Sequence, residues 1–421
     1  MTQQTKGPSA ALLFVLVCAM GVGPLLNYGM SALSPLIIAD LGITQSQFGL
    51  LAGAVFASAA VSSFSLGRLS DRATTRTQLV LIFGGTVLAL VIAALAHTFW
   101  VLLAAVILAG PSQAISNPTT NRVIVASVPQ AKRPGWIGIK QSGVQASQLF
   151  AGLFFPAVAL WLGWQWSFGL TAVLAAALLA YGLAKVPADS ATARTTAARA
   201  HGGRLPFPVW LFAGFAFFAG MGMQATNVYL PLFAVRELGF PLVLAGAAAG
   251  VSGIVGVSSR IVWGRRMALG ARPSVLLLTL AAGAIVGVLC LLAAGAWDVP
   301  ALLWVGVALH GATVLGANVI MNAAVLVVVP RERIGAASGV LAAGMYTGFA
   351  LGPLMMGVLA DATGTFDAGW LAVGGGYAVC AGLAVWLMRY GASHPWTSFS
   401  REVSQAFPRR PPLIATKCVL S

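Results

Sequence analysis

The sequence has 421 residues, of which 59% are hydrophobic and only 8% are charged. An ordinary soluble domain carries charge on about a quarter of its residues, so the composition excludes that class. The net charge of +15 is compatible with nucleic-acid binding as well as with membrane topology, and the position of the charges decides between the two.

Apolar runs of about 20 residues, each long enough to cross about 30 Å of bilayer hydrocarbon, recur along the chain. The first run continues to full spanning length without a small-residue cleavage site, which predicts a retained helix and not a removed signal peptide. We predict an all-α membrane protein with about twelve transmembrane helices, at 10–38, 48–66, 79–97, 100–127, 136–160, 166–185, 207–234, 241–263, 275–296, 300–329, 335–359 and 370–389.

Basic residues are concentrated on one side of this predicted topology. The even-numbered gaps, the N-terminus and the tail hold 21 of the 24 Lys and Arg residues, with Arg260 counted in the gap after the eighth span. The odd-numbered gaps hold only Arg236, together with five of the nine acidic residues. The positive-inside rule therefore predicts a multi-pass protein of the cytoplasmic (inner) membrane with both termini in the cytoplasm. The same placement argues against nucleic acid as a partner.

A segment rich in Ala, Thr, Gly and Arg separates six predicted spans from six others. We expect a cytoplasmic N-terminus at 1–9, a first bundle at 10–186, a linker at 187–206, a second bundle at 207–390 and a disordered cytoplasmic tail at 391–421. Asparagines recur between the two bundles at an offset of 200 or 201: Asn27 as Asn227, Asn117 as Asn318, and Asn121 as Asn322. This recurrence is typical of parallel repeats about an axis along the membrane normal.

The loop after the second span reads Gly67-Arg68-Leu69-Ser70-Asp71-Arg72 and is followed by Arg76. It resembles the loop signature of the major facilitator superfamily of secondary transporters, except that Thr74 and Thr75 stand where Gly and Arg are usual. The resemblance covers the twelve spans and implies two pseudo-symmetric six-helix bundles that work by alternating access. It also implies that spans 1, 4, 7 and 10 line the central cavity, and all six asparagines lie in those four spans.

The resemblance further implies a gate at this loop. We expect an ion-pair network around Asp71 that fastens the two bundles on the cytoplasmic side in the outward-open state and releases in the inward-open state. The gating residues are Gly67, Arg68, Asp71, Arg72, Arg76 and Arg133.

Amides are the first candidates for the substrate site. Asn117 and Asn121 are spaced i, i+4, as are Asn318 and Asn322, so each pair projects from one helix face. Together they could form a polar floor around a substrate. The alternative is that they make interhelical hydrogen bonds that only hold the bundle together.

Two cations are the second candidates. Arg122 lies seven residues before Pro129, and Lys140 lies seven residues after Arg133. Both are therefore about 10 Å inside the same membrane face. Because no Asp or Glu lies within a predicted span, we interpret the pair as partners for a carboxylate or a similar anion. The alternative is that both side chains lift their charge toward the cytoplasmic interface.

Other polar side chains extend the predicted site. They are Gln141, which begins a stripe with Gln145 and Gln148, then Gln224 and Asn227 in the seventh span, Asn27 and Tyr28 in the first, and Tyr346 in the eleventh. His310 in the tenth span is a candidate for proton coupling, although a lone histidine among small apolar neighbours is more often a packing residue.

No nucleophile elbow, P-loop, His-Glu-x-x-His motif or Cys/His cluster is present in the sequence. We therefore expect neither an enzyme nor a cofactor or metal.

The preferred function is transport of a small organic anion by a monomer in the lipid bilayer. Two alternatives remain: an exporter of neutral or cationic hydrophobic compounds, and a non-transporting membrane sensor, against which the short tail argues.

The gating hypothesis predicts that Asp71→Asn slows transport and leaves substrate affinity within about twofold, because the ion pair acts on the conformational step and not on the ligand. Uptake into proteoliposomes and equilibrium binding to the purified variant measure the two quantities separately. Loss of binding together with transport would contradict a purely gating role.

Overall fold

The computed structural model describes residues 9–186, 205–329 and 333–393, and within these ranges it is built from helices without strands. At 64–72 only the helical backbone is described. Eleven helices are each long and apolar enough to cross a membrane, and a bent pair at the start of the chain supplies a twelfth span. The expected N-terminal segment, most of the linker and nearly all of the tail lie outside the described residues.

Six spans precede the linker and form the N-terminal half, and six follow it and form the C-terminal half. Spans 1 to 6 are Ala10–Val22 with Leu25–Ala32 and Ser34–Leu41, Gln45–Arg72, Thr75–Leu79 with Val80–Gly84 and Gly85–Ala94, Phe99–Ser127, Arg133–Leu162, and Trp164–Lys185. Spans 7 to 12 are Phe207–Arg236, Leu242–Ala268, Pro273–Ala296, Pro300–Val328, Ile334–Thr363 and Asp367–Ser393. We call the side with the linker and the other even-numbered loops the even-loop face, and the opposite side the odd-loop face.

Span 1 is not the continuous helix that its hydropathy predicts. Its first two helices meet at Gly23 and Pro24 with a bend of 52°. Proline lacks a backbone N–H and its ring clashes with the preceding turn, so a helix breaks there. A second interruption falls at Leu33, before Pro35 in the first turn of the third helix. Ser31 lies between the breaks and donates to the carbonyl of Asn227 in span 7, at 2.7 Å.

Several helices are longer than the apolar runs that predict them, because the helices continue past the charged residues that follow those runs. Span 2 continues to Arg72 and span 11 continues to Thr363. Two expectations are corrected as a result. Asp361 lies inside a spanning helix, although no acid was expected there. Arg260, counted with the loop after span 8 although the predicted run 241–263 contains it, lies eight residues inside Leu242–Ala268, which is about 12 Å from the end of that helix.

The two halves make close contact on the odd-loop face. In the seam between spans 2 and 11, a Cβ atom at Gly53 would collide with the carbonyl oxygen of Ala350, and the rings of Phe56 and Phe349 meet edge to face at 5.1 Å. Spans 5 and 8 approach equally closely, with Gly152 against Gly246. Small residues let helix backbones pack at short distance, so these glycines set the closed seam.

A hydrogen-bonded clamp closes the end of the same seam. The carboxylate of Asp361 in span 11 accepts from the backbone N–H groups of Gln45 at 3.0 Å and Ser46 at 2.7 Å, which open span 2. The hydroxyl of Tyr229 in span 7 donates to the carbonyl of Gln45. The first N–H groups of a helix have no partner within it and carry partial positive charge, so a carboxylate is well placed there. We call this group the odd-loop clamp.

The even-loop face is open among the described residues. A Cβ atom at Gly135 or Gly138 of span 5, or at Gly335 or Gly339 of span 11, would have no other atom within 4 Å. These helix ends therefore border open space, whereas the odd-loop ends of the same spans are packed against the other half. We infer from this difference that the space between the halves opens to the even-loop face.

The odd-loop clamp predicts that Asp361→Ala shifts the protein toward opening on the odd-loop face. The lost interaction is worth about 1 kcal/mol at an exposed site, which changes a two-state population about fivefold. Pulsed electron paramagnetic resonance between spin labels at His97 and Ala296, both exposed on that face, measures the change in a background without the four native cysteines.

Asp367→Ala is the matched control, because this acid is exposed on the same face and its hydrogen bond among the described residues, from Thr365 of its own loop at 3.5 Å, does not join the two halves. The distance distribution should broaden toward longer values for Asp361→Ala alone. Identical distributions in the two variants would show that the clamp does not hold the halves together.

Candidate functional site

Lys140 in span 5 is a fully buried cation, with 0% of its surface exposed. Its ammonium donates to Oδ1 of Asn117 at 2.7 Å and to Oγ1 of Thr120 at 2.7 Å, both in span 4. Both acceptors are neutral, so the positive charge is solvated by dipoles and not cancelled by an acid. A charge held in this way inside a membrane bundle is costly, so Lys140 is the first candidate for a functional site.

Asn117 connects this buried charge to the cavity, because its own side chain is exposed. Its Oδ1 also accepts from Nε2 of Gln141 at 3.4 Å, so one amide oxygen is shared by span 5 donors from two successive residues. Pro118 follows directly and removes one helical hydrogen bond of span 4. The amide of Asn117 is thus fixed at a locally weakened turn, with Lys140 behind it.

Arg122 points in a different direction. Its guanidinium donates to the carbonyl of Ala73 at 2.6 Å, and Ala73 lies in the loop after span 2 on the even-loop face. The sequence places Arg122 and Lys140 at matching depth, but in this conformation they do not point to one spot. The contact follows the alternative in which the arginine lifts its charge toward the membrane surface.

A second polar cluster lies where the two halves meet, and we call its members Gln148, Gln224, Asn227 and His310 the midplane cluster. The side chain of Asn227 donates to Oε1 of Gln224 at 3.0 Å. Its Oδ1 accepts from Nε2 of Gln148 at 3.4 Å and lies 3.2 Å from Nε2 of His310, which can donate in one tautomer. All four residues are buried, and Gln148 reaches across from the N-terminal half.

Two amide oxygens near this cluster lack a partner among the described residues, Oε1 of Gln148 and Oδ1 of Asn27. Leaving a buried acceptor unpaired costs about 1–3 kcal/mol, so such atoms concentrate where a protein binds ligand or water. His310, the predicted candidate for proton coupling, lies at hydrogen-bond distance from the amide of Asn227 and is a member of this cluster.

The repeated asparagine pairs differ in their contacts. Asn322 donates to both oxygens of Asn318, at 2.6 Å to Oδ1 and 2.8 Å to the carbonyl, so that pair is joined within span 10. In span 4, Asn117 is bound by Lys140, and Asn121 is exposed toward the open face. Repeat symmetry in the sequence therefore does not carry over to the hydrogen bonds.

Arg260 is the polar residue of this region that the sequence pattern misses. Its guanidinium donates to Oε1 of Gln145 in span 5 at 2.9 Å and to the carbonyl of Leu315 in span 10 at 3.1 Å. It also lies close enough to Tyr28 in span 1 for an electrostatic interaction. A single arginine near the end of an apolar run looks like the first residue of a loop, which is why its depth was not recognised.

Tyr346, also predicted for the site, packs edge-on against Phe349, with the ring centroids 5.9 Å apart.

The predicted gating residues are described only in part. At Gly67, Arg68, Asp71 and Arg72 only the helical backbone is described, so the contacts of the three charged side chains are not part of the described structure. Arg76 donates to the carbonyl of Val186 at 3.3 Å, and Arg133 donates to the carbonyls of Val125 and Val128 at 2.8 and 2.9 Å. These contacts stay within the N-terminal half. Among the described residues no group of His, Cys, Asp and Glu is suited to hold a metal ion.

Comparisons with known proteins agree with the twelve-span fold. A curated relative, the hexuronate transporter of Bacillus subtilis (strain 168), is 27% identical over 388 residues, which cover 85% of this chain and 89% of that protein. The crystal structure of a bacterial homolog of the human lysosomal transporter Spinster, inward-facing and occupied, is similar with a TM-score of 0.67 and 19% identity, covering 94% of this chain and 96% of that one. The nucleoside transporter NupG is similar with a TM-score of 0.70 and 14% identity, covering 91% and 100%. At these identities the two structures show a shared fold only.

The family model of the Major Facilitator Superfamily matches residues 12–268 and residues 261–421, so that both halves are covered. This agrees with the loop at Gly67–Arg72 and with the recurrence of asparagines between the halves. The chain belongs to the Major Facilitator Superfamily and is a membrane transporter of small molecules, not an enzyme.

Proposed function

We propose that this transporter moves a small organic anion of the carboxylate type across the cytoplasmic membrane by alternating access. The observation that carries the proposal is Lys140, a fully buried ammonium whose described partners, Asn117 and Thr120, are both neutral. An anionic substrate would supply the charge that the bundle leaves uncancelled. The curated relative is named for hexuronate, which carries one carboxylate and several hydroxyls, and this supports the same class.

Lys140 acts through Asn117 in this proposal. The ammonium has no exposed surface, whereas the amide of Asn117 borders the cavity. Because Oδ1 of Asn117 accepts from the cation, its Nδ2 group is oriented and polarised as a donor toward a bound carboxylate. A unit charge about 5 Å from the carboxylate contributes roughly 3 kcal/mol at an effective dielectric constant of about 20. Neighbouring amides, including Gln141 and Gln224, are suited to bind substrate hydroxyls.

Arg122 has a different task in the proposal. Its contact with the carbonyl of Ala73 keeps its charge near the mouth of the cavity on the even-loop face. Fixed charge at the entrance of a low-dielectric cleft raises the local concentration of an oppositely charged ligand. We therefore assign Arg122 to attraction of the anion and Lys140 to its binding.

The orientation in the membrane follows from charge. Basic residues are concentrated on the even-loop face, so that face, both termini and the linker are cytoplasmic in the proposal. The inferred opening then corresponds to an inward-open state in this proposal, and the odd-loop clamp closes the outer side. The same proposal includes a division into two bundles at the linker and a monomeric protein.

The proposal predicts that Lys140→Gln lowers affinity for a uronic acid by about 10- to 100-fold, because the hydrogen bonds can be replaced but the charge cannot. Lys140→Arg should retain part of the affinity. The measurement is the ligand-induced shift in thermal unfolding of purified protein, with galacturonate as anion and galactose as its neutral counterpart.

Ligand-free unfolding is the internal control, since removal of a buried charge without an acidic partner should not lower the unfolding temperature. Lys132→Gln, which removes an exposed cation of the same helix pair, should leave the shift unchanged. The anion proposal is wrong if galacturonate raises the unfolding temperature of Lys140→Gln by as much as that of the original protein. It is also wrong if only hydrophobic cations raise the unfolding temperature of the two proteins.

Arg122 gives a separate prediction. Arg122→Gln should lower the uptake rate about two- to fivefold at low ionic strength and by less at high salt, because attraction over a distance is screened. Uptake of labelled galacturonate by proteoliposomes at two salt concentrations measures this. A loss of equilibrium affinity as large as that of Lys140→Gln would place Arg122 in the binding site instead.

A further inference from the structure

Arg260 is a cation whose hydrogen bonds reach both halves of the molecule. It belongs to span 8 of the C-terminal half, donates to Gln145 of span 5 in the N-terminal half, and donates to Leu315 of span 10. With Tyr28 of span 1 also in range, four spans converge on its guanidinium. A side chain at such a convergence is withdrawn from lipid and lies at the level about which the two halves rock.

The two recorded contacts leave much of the guanidinium available. Arginine has five N–H donors in a planar fork, and the described residues account for two of them, both with neutral acceptors. The fork geometry matches the two oxygens of a carboxylate better than it matches one amide oxygen. Gln145 therefore occupies a position that a carboxylate would fill with a better fit.

Acidic side chains with described positions lie elsewhere. Asp40, Glu237, Asp298, Asp361 and Asp367 all belong to the odd-loop face, at or beyond the ends of the spans. Among the described residues, the interior of the bundle thus contains two cations, Lys140 and Arg260, and no carboxylate close to either. Two uncancelled positive charges favour a ligand that carries two negative groups.

A row of polar side chains connects the two cations, and we call it the polar ladder. It runs from Arg260 to Gln145, then to Gln141 on the same helix face one turn away, about 6 Å along the axis, and on to Asn117 with Lys140 behind it. The cationic ends of this ladder are therefore on the order of 10 Å apart. A chain of six carbon atoms with a carboxylate at each end has a comparable length.

On the basis of the proposed anion transport, we propose that Arg260 is a second substrate-binding residue, contributed by the C-terminal half, and that with Lys140 it selects dicarboxylates over monocarboxylates. One carboxylate lies at Asn117 within the field of Lys140. The other accepts from the guanidinium of Arg260 in place of Gln145. The substrate then bridges the two halves, so its binding energy acts directly on the transition between the two open states.

The test compares two six-carbon sugar acids that differ in one carboxylate, galactarate and galacturonate, on purified full-length protein by isothermal titration calorimetry. The original protein should bind the diacid at least tenfold more tightly than the monoacid. Arg260→Gln should remove this preference and leave the affinity for galacturonate within about threefold, because Lys140 still holds one carboxylate. Arg260→Lys, which keeps the charge without the fork, should give an intermediate preference.

Arg266→Gln is the matched control, since this exposed arginine lies further along the same helix and should leave the preference intact. A purely structural role for Arg260 would lower ligand-free thermal stability and weaken both acids equally, and that result would overturn the inference. Equal affinity of the original protein for both acids would also overturn it while leaving anion transport standing. Absence of binding for both acids would instead refute the proposed function itself.

Discussion

A charged group in the interior of a membrane protein has to be solvated by the protein, because the surrounding hydrocarbon offers neither water nor counter-ions. Lys140 satisfies this requirement with two neutral oxygens of span 4 and without an acid. Several neighbouring polar contacts depend on the position of this ammonium group. Asn117 is held by the ammonium, Gln141 is held by Asn117, and the helix that carries Asn117 is weakened at Pro118. In the proposed function, this buried positive charge is the one that a bound anion compensates, through the amide of Asn117.

The contacts between the halves are of a different kind. On the odd-loop face they depend on glycine, since the carbonyl of Ala350 lies where a Cβ of Gly53 would stand, and Gly152 and Gly246 meet in the same way. Such surfaces fit in one arrangement, and the odd-loop clamp of Asp361 adds hydrogen bonds at the end of the same seam. Other polar contacts between the halves, such as Gln148 to Asn227 and Arg260 to Gln145, lie deeper in the bundle. Glycine packing and the clamp together close the outer seam, and side-chain hydrogen bonds join the halves near the middle of the spans.

The sequence allowed the fold to be predicted because hydropathy, charge placement and the repeat all describe properties of single helices. Twelve spans, the division into halves and the family could be read in this way, and Lys140 was recognised because a lone cation is conspicuous in an apolar run. The features that could not be predicted are contacts between segments that are distant in the sequence. They include the direction of the Arg122 side chain, the depth of Arg260 and the partner of Asp361. The sequence shows a proline at position 24, but it does not predict the bend of 52° that the helix makes there.

The odd-loop clamp is asymmetric in what it requires of the sequence. Asp361 supplies the acceptor of its central contact, and its partners at Gln45 and Ser46 include backbone N–H groups that every residue except proline provides, beside the side chains of Thr44 and Ser46. Mutational drift at positions 45 and 46 leaves those donors in place, whereas a change at position 361 removes the acceptor in one step. A substitution at position 361 alone can therefore change the relative populations of the two open states. It would do so without changing the residues proposed to bind the substrate.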